Sequence, residues 1–170
     1  LFNNIVIEGN IGIGKTTLAR NLRDNLIGER FILKIGCNKP KDKPELIIND
    51  LDEAMVFVKQ QIESDKYDYL IIESNRILEK LKPGLSIYID GEKGKEKPSA
   101  LSAKTVADVV ISDKTDLTAI KECLSKKKLF NDPEKEIIYQ VIDDFSGSSI
   151  LNNLDIKVKL WLDKDSQMVI

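Results

Sequence analysis

The chain contains no histidine. That removes imidazole general bases, Ser-His-Asp triads and histidine-ligated metals from the chemistry open to it. Cysteine is nearly absent too: Cys37 and Cys123 lie far apart with no CxxC spacing, so neither a disulfide framework nor a zinc site follows. Such sparse cysteine use fits a reducing cytoplasm, the expected location. Arginine is scarce, with Arg20, Arg23, Arg30 and Arg76 the whole complement. No apolar run nears the roughly eighteen residues needed to cross a bilayer, and no charged-then-apolar leader opens the chain, so no membrane partner is expected. The net charge of −2 argues against dedicated nucleic-acid binding, because the lysines are balanced by carboxylates. The first residue is Leu1, and the expectation is a sequence trimmed at its start, with the C-terminus open to the same question.

What is present describes an ordinary soluble globular protein: 170 residues, 42% hydrophobic and 32% charged. That length suits one domain over residues 1–170, with a core over about 3–128 and a C-terminal extension over 129–170. Apolar runs alternate with helical periodicity. Asn4 to Glu8 (NIVIE) reads as a strand, and Leu18, Leu22 and Leu26 form one helical face over Lys15 to Leu26. Arg30 to Gly36 is a second strand, followed by the Lys/Pro-rich loop CNKPKDKP. A helix capped by Asp50, with Glu53 three residues on, carries Leu51, Met55, Val58 and Ile62 on one face. Further strands are read at Tyr67 to Ser74, Leu85 to Asp90, Ala107 to Ile111 and, less regularly, Ile156 to Leu162. Helices are read at Leu117 to Lys127 and Pro133 to Phe145, and GEKGKEKP (91–98) as a solvated loop. Continuous Ile/Val/Leu runs suggest strands buried on both faces. The expected fold is therefore α/β, a three-layer sandwich with a mainly parallel sheet.

Between the first strand and the first helix lies Gly9-Asn10-Ile11-Gly12-Ile13-Gly14-Lys15-Thr16, followed by Thr17. It matches G-x-x-x-x-G-K-[ST], the pattern of a P-loop NTPase. Glycines let backbone N–H groups turn inward onto phosphates, where a Cβ would obstruct. The helix beginning at Lys15 adds the positive end of its dipole. Lys15 is expected to reach the β and γ phosphates, and the Thr16 hydroxyl to ligate Mg²⁺.

Such a site needs a carboxylate near the metal, at the tip of a neighbouring apolar strand. Glu73 follows Leu70-Ile71-Ile72 and is the candidate, both catalytic and metal-binding; Asp68 is the runner-up, at the strand's other end. Ser74 and Asn75 are candidates to line the γ-phosphate side. After the fifth predicted strand, Ser112-Asp113-Lys114-Thr115-Asp116 resembles the [NT]-K-x-D element by which GTPases read guanine, with Asp113 where Asn or Thr is usual. A carboxylate at Asp116 can accept from guanine N1–H and N2–H₂, which adenine lacks, and the Lys114 stem would lie over the base. The alternative is a polar loop in which Asp113 or Asp116 caps the next helix.

The ensemble IEGNIGIGKTT, YDYLIIES, LSIYIDGEKGKEKP and ADVVISDKTDL resembles P-loop GTPases and ATPases that serve metallocentre and cofactor assembly. Glu73-Ser74, Ile89-Asp90, Lys97-Pro98 and Asp113 to Asp116 fall in the order seen in urease and hydrogenase nickel-insertion GTPases. The MobB-like accessory protein of molybdopterin-guanine dinucleotide synthesis is the other likeness, over about residues 3 to 120. The resemblance implies Mg²⁺ and GTP (or ATP) as cofactors, slow hydrolysis, a cofactor-assembly or target-enzyme protein partner, and a possible homodimer. Nickel-insertion proteins carry Cys and His ligands; here only Cys37 is a candidate, with an exposed or structural thiol the alternative. The loop IEGNIGIGKTT also resembles that of deoxynucleoside kinases, which leaves a small-molecule kinase open, although an arginine-rich lid is missing. A non-catalytic nucleotide-binding scaffold is the third reading.

Overall fold

A computed structural model describes residues 3–10, 13–36, 46–91 and 98–147. Six parallel strands form one sheet: β1 (Asn3–Gly9), β2 (Arg30–Ile35), β3 (Leu46–Ile48), β4 (Tyr69–Ser74), β5 (Leu85–Ile89) and β6 (Val109–Ile111). Their spatial order is β3-β2-β4-β1-β5-β6, with β1 and β4 near the middle. These inner strands are buried on both faces, as their unbroken apolar runs require. Among the described residues, three helices lie between strands, α1 (Lys15–Asn25), α2 (Leu51–Ser64) and α3 (Pro98–Val106), and two follow β6, α4 (Leu117–Ser125) and α5 (Asp132–Phe145).

Alternate residues of β1 divide the core into two layers. Ile5 and Ile7 face Leu18 and Leu22 of α1, together with Ile120 of α4 and Ile138, Ile142 and Phe145 of α5. Val6 faces the other way, onto Leu70, Ile72, Ile77 and Ala54 and Val58 of α2. The expected three-layer α/β architecture is thus observed. α1 buries the predicted Leu18/Leu22 stripe, and Leu26 closes it as the C-cap residue. Asp50 caps α2, its Oδ1 accepting from Asp52 and Glu53 N–H. α5 opens with a reciprocal capping box between Asn131 and Glu134, and Pro133 lies in its first turn. It packs on α1 and α4, so residues 132–145 share the main core.

Several expectations need correction. β3 was not foreseen: three residues, Leu46–Ile48, give no alternation to detect. α3 was not expected either: of its residues only Pro98 belongs to the expected charged loop, and among its described side chains, Leu101 to Val106, only Ala103 is buried, so its amphipathic signal is weak. The strand predicted from Tyr67 begins at Tyr69, and the one predicted from Ala107 begins at Val109. Ile62 lies outside the buried face of α2, which turns on Ala54 and Val58. The strand expected at Ile156 to Leu162, Cys37, and residues 92–97 of the charged loop lie outside the described residues. No helix among the described residues is long and apolar enough to cross a membrane.

Candidate functional site

The carboxyl ends of β1 and β4 meet at the start of α1. β1 ends at Gly9, where an added Cβ would stand 2.8 Å from the Ile89 carbonyl oxygen and 3.0 Å from Ile13 Cγ2. That approach leaves room for glycine alone. Gly14, with φ +102°, takes the left-handed conformation that turns the chain into α1. Gly91, two residues beyond β5, leaves space that a Cβ would deny to Ile13 Cδ1, so Ile13 is seated against the segment that follows β5. Asn10 accepts the Ile13 N–H at 3.4 Å through its carbonyl. Ile11 and Gly12 lie outside the described residues, and Thr17 is exposed on the helix.

Lys15 curls back over this turn. Its ammonium donates to the Gly9 carbonyl at 2.7 Å and to Asn75 Oδ1. Thr16, one residue on, faces the sheet, and its hydroxyl donates to Glu73 Oε1 at 2.7 Å. Glu73 is 2% exposed, and its Oε2 is buried without a hydrogen-bond partner among the described residues. An orphaned buried carboxylate oxygen is costly and uncommon, and a hard divalent cation or its water is the partner such an oxygen suits. The pair Thr16–Glu73 therefore fits Mg²⁺. A strand, a glycine turn, a helix-first lysine and a threonine tied to an acidic strand end have now met in one place. The residues of the G-x-x-x-x-G-K-T pattern thus stand at a strand-to-helix turn on the carboxyl edge of a parallel α/β sheet.

No protein-family model matches the sequence, and no curated protein matches it. Among solved structures the chain is similar to HypB from Helicobacter pylori in complex with nickel, at 16% identity and a TM-score of 0.45, covering 86% of this chain and 88% of that one. It is also similar to a GTPase from Pyrococcus abyssi in apo form, at 15% identity and a TM-score of 0.41, covering 82% and 83%. The nickel is that of the Helicobacter protein. Among the described residues of this chain, no three Cys, Asp or Glu side chains converge where a metal ion would be held by them alone.

Two residues of the P-loop neighbourhood were missed from the sequence. Lys34 of β2 pairs with Glu73 across the β2–β4 register and donates to Thr16 Oγ1 at 3.2 Å. Glu8, the last side chain before Gly9, points to the opposite face from Thr16. It is 1% exposed and accepts the Leu78 N–H at 2.8 Å. Burial pushes its carboxyl up to about 7; the Leu78 hydrogen bond and the charge of Lys15 act against this, and Glu79 adds to it. In both cases the available signal was a single charge inside an apolar strand.

Other candidates separate. Ser74 does not line the site: its Oγ accepts the N–H groups of Arg76 and Ile77, both at 3.0 Å, and so holds the 3-10 turn Ile77–Glu79. Asp68, at the opposite end of β4, accepts the Glu29 N–H at 2.7 Å and is a structural anchor. Arg76 is exposed at the start of that turn. Asp90, at the tip of β5, is paired with Lys104 at 2.6 Å. Lys114 and Asp116 follow β6, two strands from β1 on the same edge of the sheet. Their loop is ordered by Ser112 and Thr115: the Ser112 N–H donates to Thr115 Oγ1 at 2.9 Å, and Ser112 Oγ accepts the Lys114 N–H at 3.1 Å. Asp116 Oδ1 accepts the Ala119 N–H at 3.1 Å, so Asp116 caps α4. The helix-cap alternative therefore holds for one of its oxygens. Lys114 is exposed, and neither residue bonds to the Lys15–Thr16–Glu73 cluster among the described residues.

Proposed function

We propose that the chain is a Mg²⁺-dependent nucleotide-binding protein that prefers GTP to ATP, hydrolyses it slowly, and acts as an accessory switch in the cytoplasm. The observation that carries this reading is the Thr16–Glu73 pair, with its unpartnered buried oxygen, standing at the first turn of the P-loop helix. The loop from Gly9 to Thr17 would wrap the phosphates, with its backbone N–H groups and the α1 dipole directed at them. Lys15, supported by Gly9 and Asn75, would give its ammonium to the β and γ oxygens. Thr16 and Glu73 would hold the metal, with Glu73 orienting the threonine hydroxyl. Magnesium, when bound, supplies charge that offsets the phosphates.

Lys114 and Asp116 would meet the base at the carboxyl edge beyond β6. The guanine preference is supported by the acceptor chemistry of Asp116, whose cap bond engages Oδ1. Slow turnover is supported by a cluster that grips phosphates yet offers no evident general base among the described residues. The client is proposed as a metal-cofactor pathway of the molybdenum-cofactor type, reached through a protein partner and with a homodimer as one assembly. That extension rests on the order of motifs along the chain.

The test titrates GTP, ATP and XTP with magnesium against wild type and Asp116→Asn. GTP is expected to bind more tightly than ATP. The amide should weaken GTP by about tenfold or more while improving XTP, whose 2-oxo group suits an amide donor. Equal binding of ATP and GTP, unchanged by the substitution, defeats the guanine assignment. Transfer of phosphate to a nucleoside, read as a mass gain on an acceptor panel, replaces the switch with a kinase. Nucleotide binding with no turnover under any condition leaves the scaffold.

A further inference from the structure

Lys34 is the one charge within Phe31-Ile32-Leu33-Lys34-Ile35, the apolar stretch of β2. Its strand neighbours decide where it points. Leu33 and Ile35 belong to the α2 layer, and Ile32 belongs to the α1 layer, so Lys34 stands on the α1 face with Ile32. Glu73, its register partner on β4, stands on the same face with Ile71. The two side chains thus approach the first turn of α1 side by side, from adjacent strands.

They meet at one oxygen. Thr16 Oγ1 gives its single proton to Glu73 Oε1 and offers its lone pairs elsewhere. One of them accepts Lys34 Nζ at 3.2 Å. This is the same hydroxyl oxygen that the proposed function assigns to magnesium. An ammonium and a divalent cation close to one oxygen repel strongly in a half-buried site, so the two do not share it comfortably. The Lys15 ammonium has partners of its own, donating to the Gly9 carbonyl and to Asn75 Oδ1.

We infer that Lys34 is an exchangeable cation of the phosphate site, a tethered ammonium that competes with magnesium for Thr16 and backs the nucleotide's terminal phosphate when divalent metal is scarce. The inference rests on the nucleotide-binding reading above. Its consequence is that nucleotide is retained without metal, and that the affinity gained on adding magnesium is modest. A lysine stem is long and flexible enough to leave the hydroxyl and keep its charge near the phosphates.

The experiment measures binding of mant-GTP, with mant-ATP in parallel, to wild type, Lys34→Gln and Lys34→Arg, each in excess EDTA and in excess magnesium. Wild type is expected to bind in both buffers. Lys34→Gln should lose about tenfold or more in EDTA and less than about threefold in magnesium, while Lys34→Arg stays near wild type in both. Should Lys34→Gln unfold, Lys34→Met, which keeps the apolar stem, carries the same comparison. Equal losses in the two buffers, or no loss in EDTA, overturn the exchange and leave the nucleotide reading standing. Failure of wild type to bind either probe in either buffer overturns that reading, and this inference with it.

Discussion

Substituting Glu8 by Gln isolates a carboxyl that burial holds near neutrality. Glutamine keeps a carbonyl oxygen for the Leu78 N–H but never ionises, so it reproduces the protonated side chain at every pH. In the fold the Glu8 carboxyl is pushed from 4.5 up to about 7. A raised carboxyl pKa means that the folded chain holds its proton more tightly than the unfolded chain does. The contribution is therefore complete below about pH 4.5, declines as pH rises, and is lost once pH passes about 7. At about 1.4 kcal/mol per pH unit, the full interval corresponds to about 3 kcal/mol. Urea denaturation of wild type and Glu8→Gln across this range should show wild type losing about 3 kcal/mol relative to the variant. The two stability curves should run parallel outside the interval. A stability difference independent of pH would refute the assignment of a buried, neutral Glu8. Lys15 sharpens the test, because its charge lowers the Glu8 pKa. Phosphate seated on Lys15 offsets that charge, so saturating nucleotide should move the transition to higher pH.

The remaining predictions separate the site from its supports. Asn75→Ala removes the side-chain oxygen that Lys15 engages. Nucleotide affinity, followed by fluorescence titration, should fall by about three- to tenfold, with the melting temperature hardly changed because Asn75 is exposed. Ser74→Ala should do the opposite: two N–H groups of the 3-10 turn lose their acceptor, costing about 1–3 kcal/mol in urea denaturation, with nucleotide affinity preserved.

The long apolar runs made the inner sheet readable. LIIES and LSIYI are buried throughout in the structure, and a strand with no solvated face needs no alternation to declare itself. The helix face of α1 was readable for the complementary reason, because it has a wet side. β3 and α3 escaped because neither builds much core of its own. Lys15, Thr16 and Glu73 were readable as a pattern tied to a known chemical need, and the structure draws those three together. Lys34 was not, because its significance depends on pairing β2 with β4, and strand order cannot be read along the chain. Ser74 and Asn75 illustrate the same limit at the scale of one residue. Both are small and polar at a strand end, but only the backbone direction decides that Asn75 reaches Lys15 while Ser74 folds onto its own turn.

The tip of β4 therefore behaves like a reading frame. Three consecutive residues serve three destinations: Glu73 meets α1, Ser74 secures the turn on the opposite face, and Asn75 reaches over the strand end to Lys15. The frame is set by pairing with β1, where Ile7 lies opposite Glu73 and Glu8 opposite Ser74. Inserting or deleting one residue ahead of this tip would preserve composition and most of the apolar burial, yet send the carboxylate into the α2 layer and the hydroxyl toward Thr16. Loop-length variation should be tolerated far better after the 3-10 turn than anywhere between Tyr69 and Asn75. In this molecule the spacing of a strand end is itself a chemical property, inherited by the phosphate site from the pleat of the sheet.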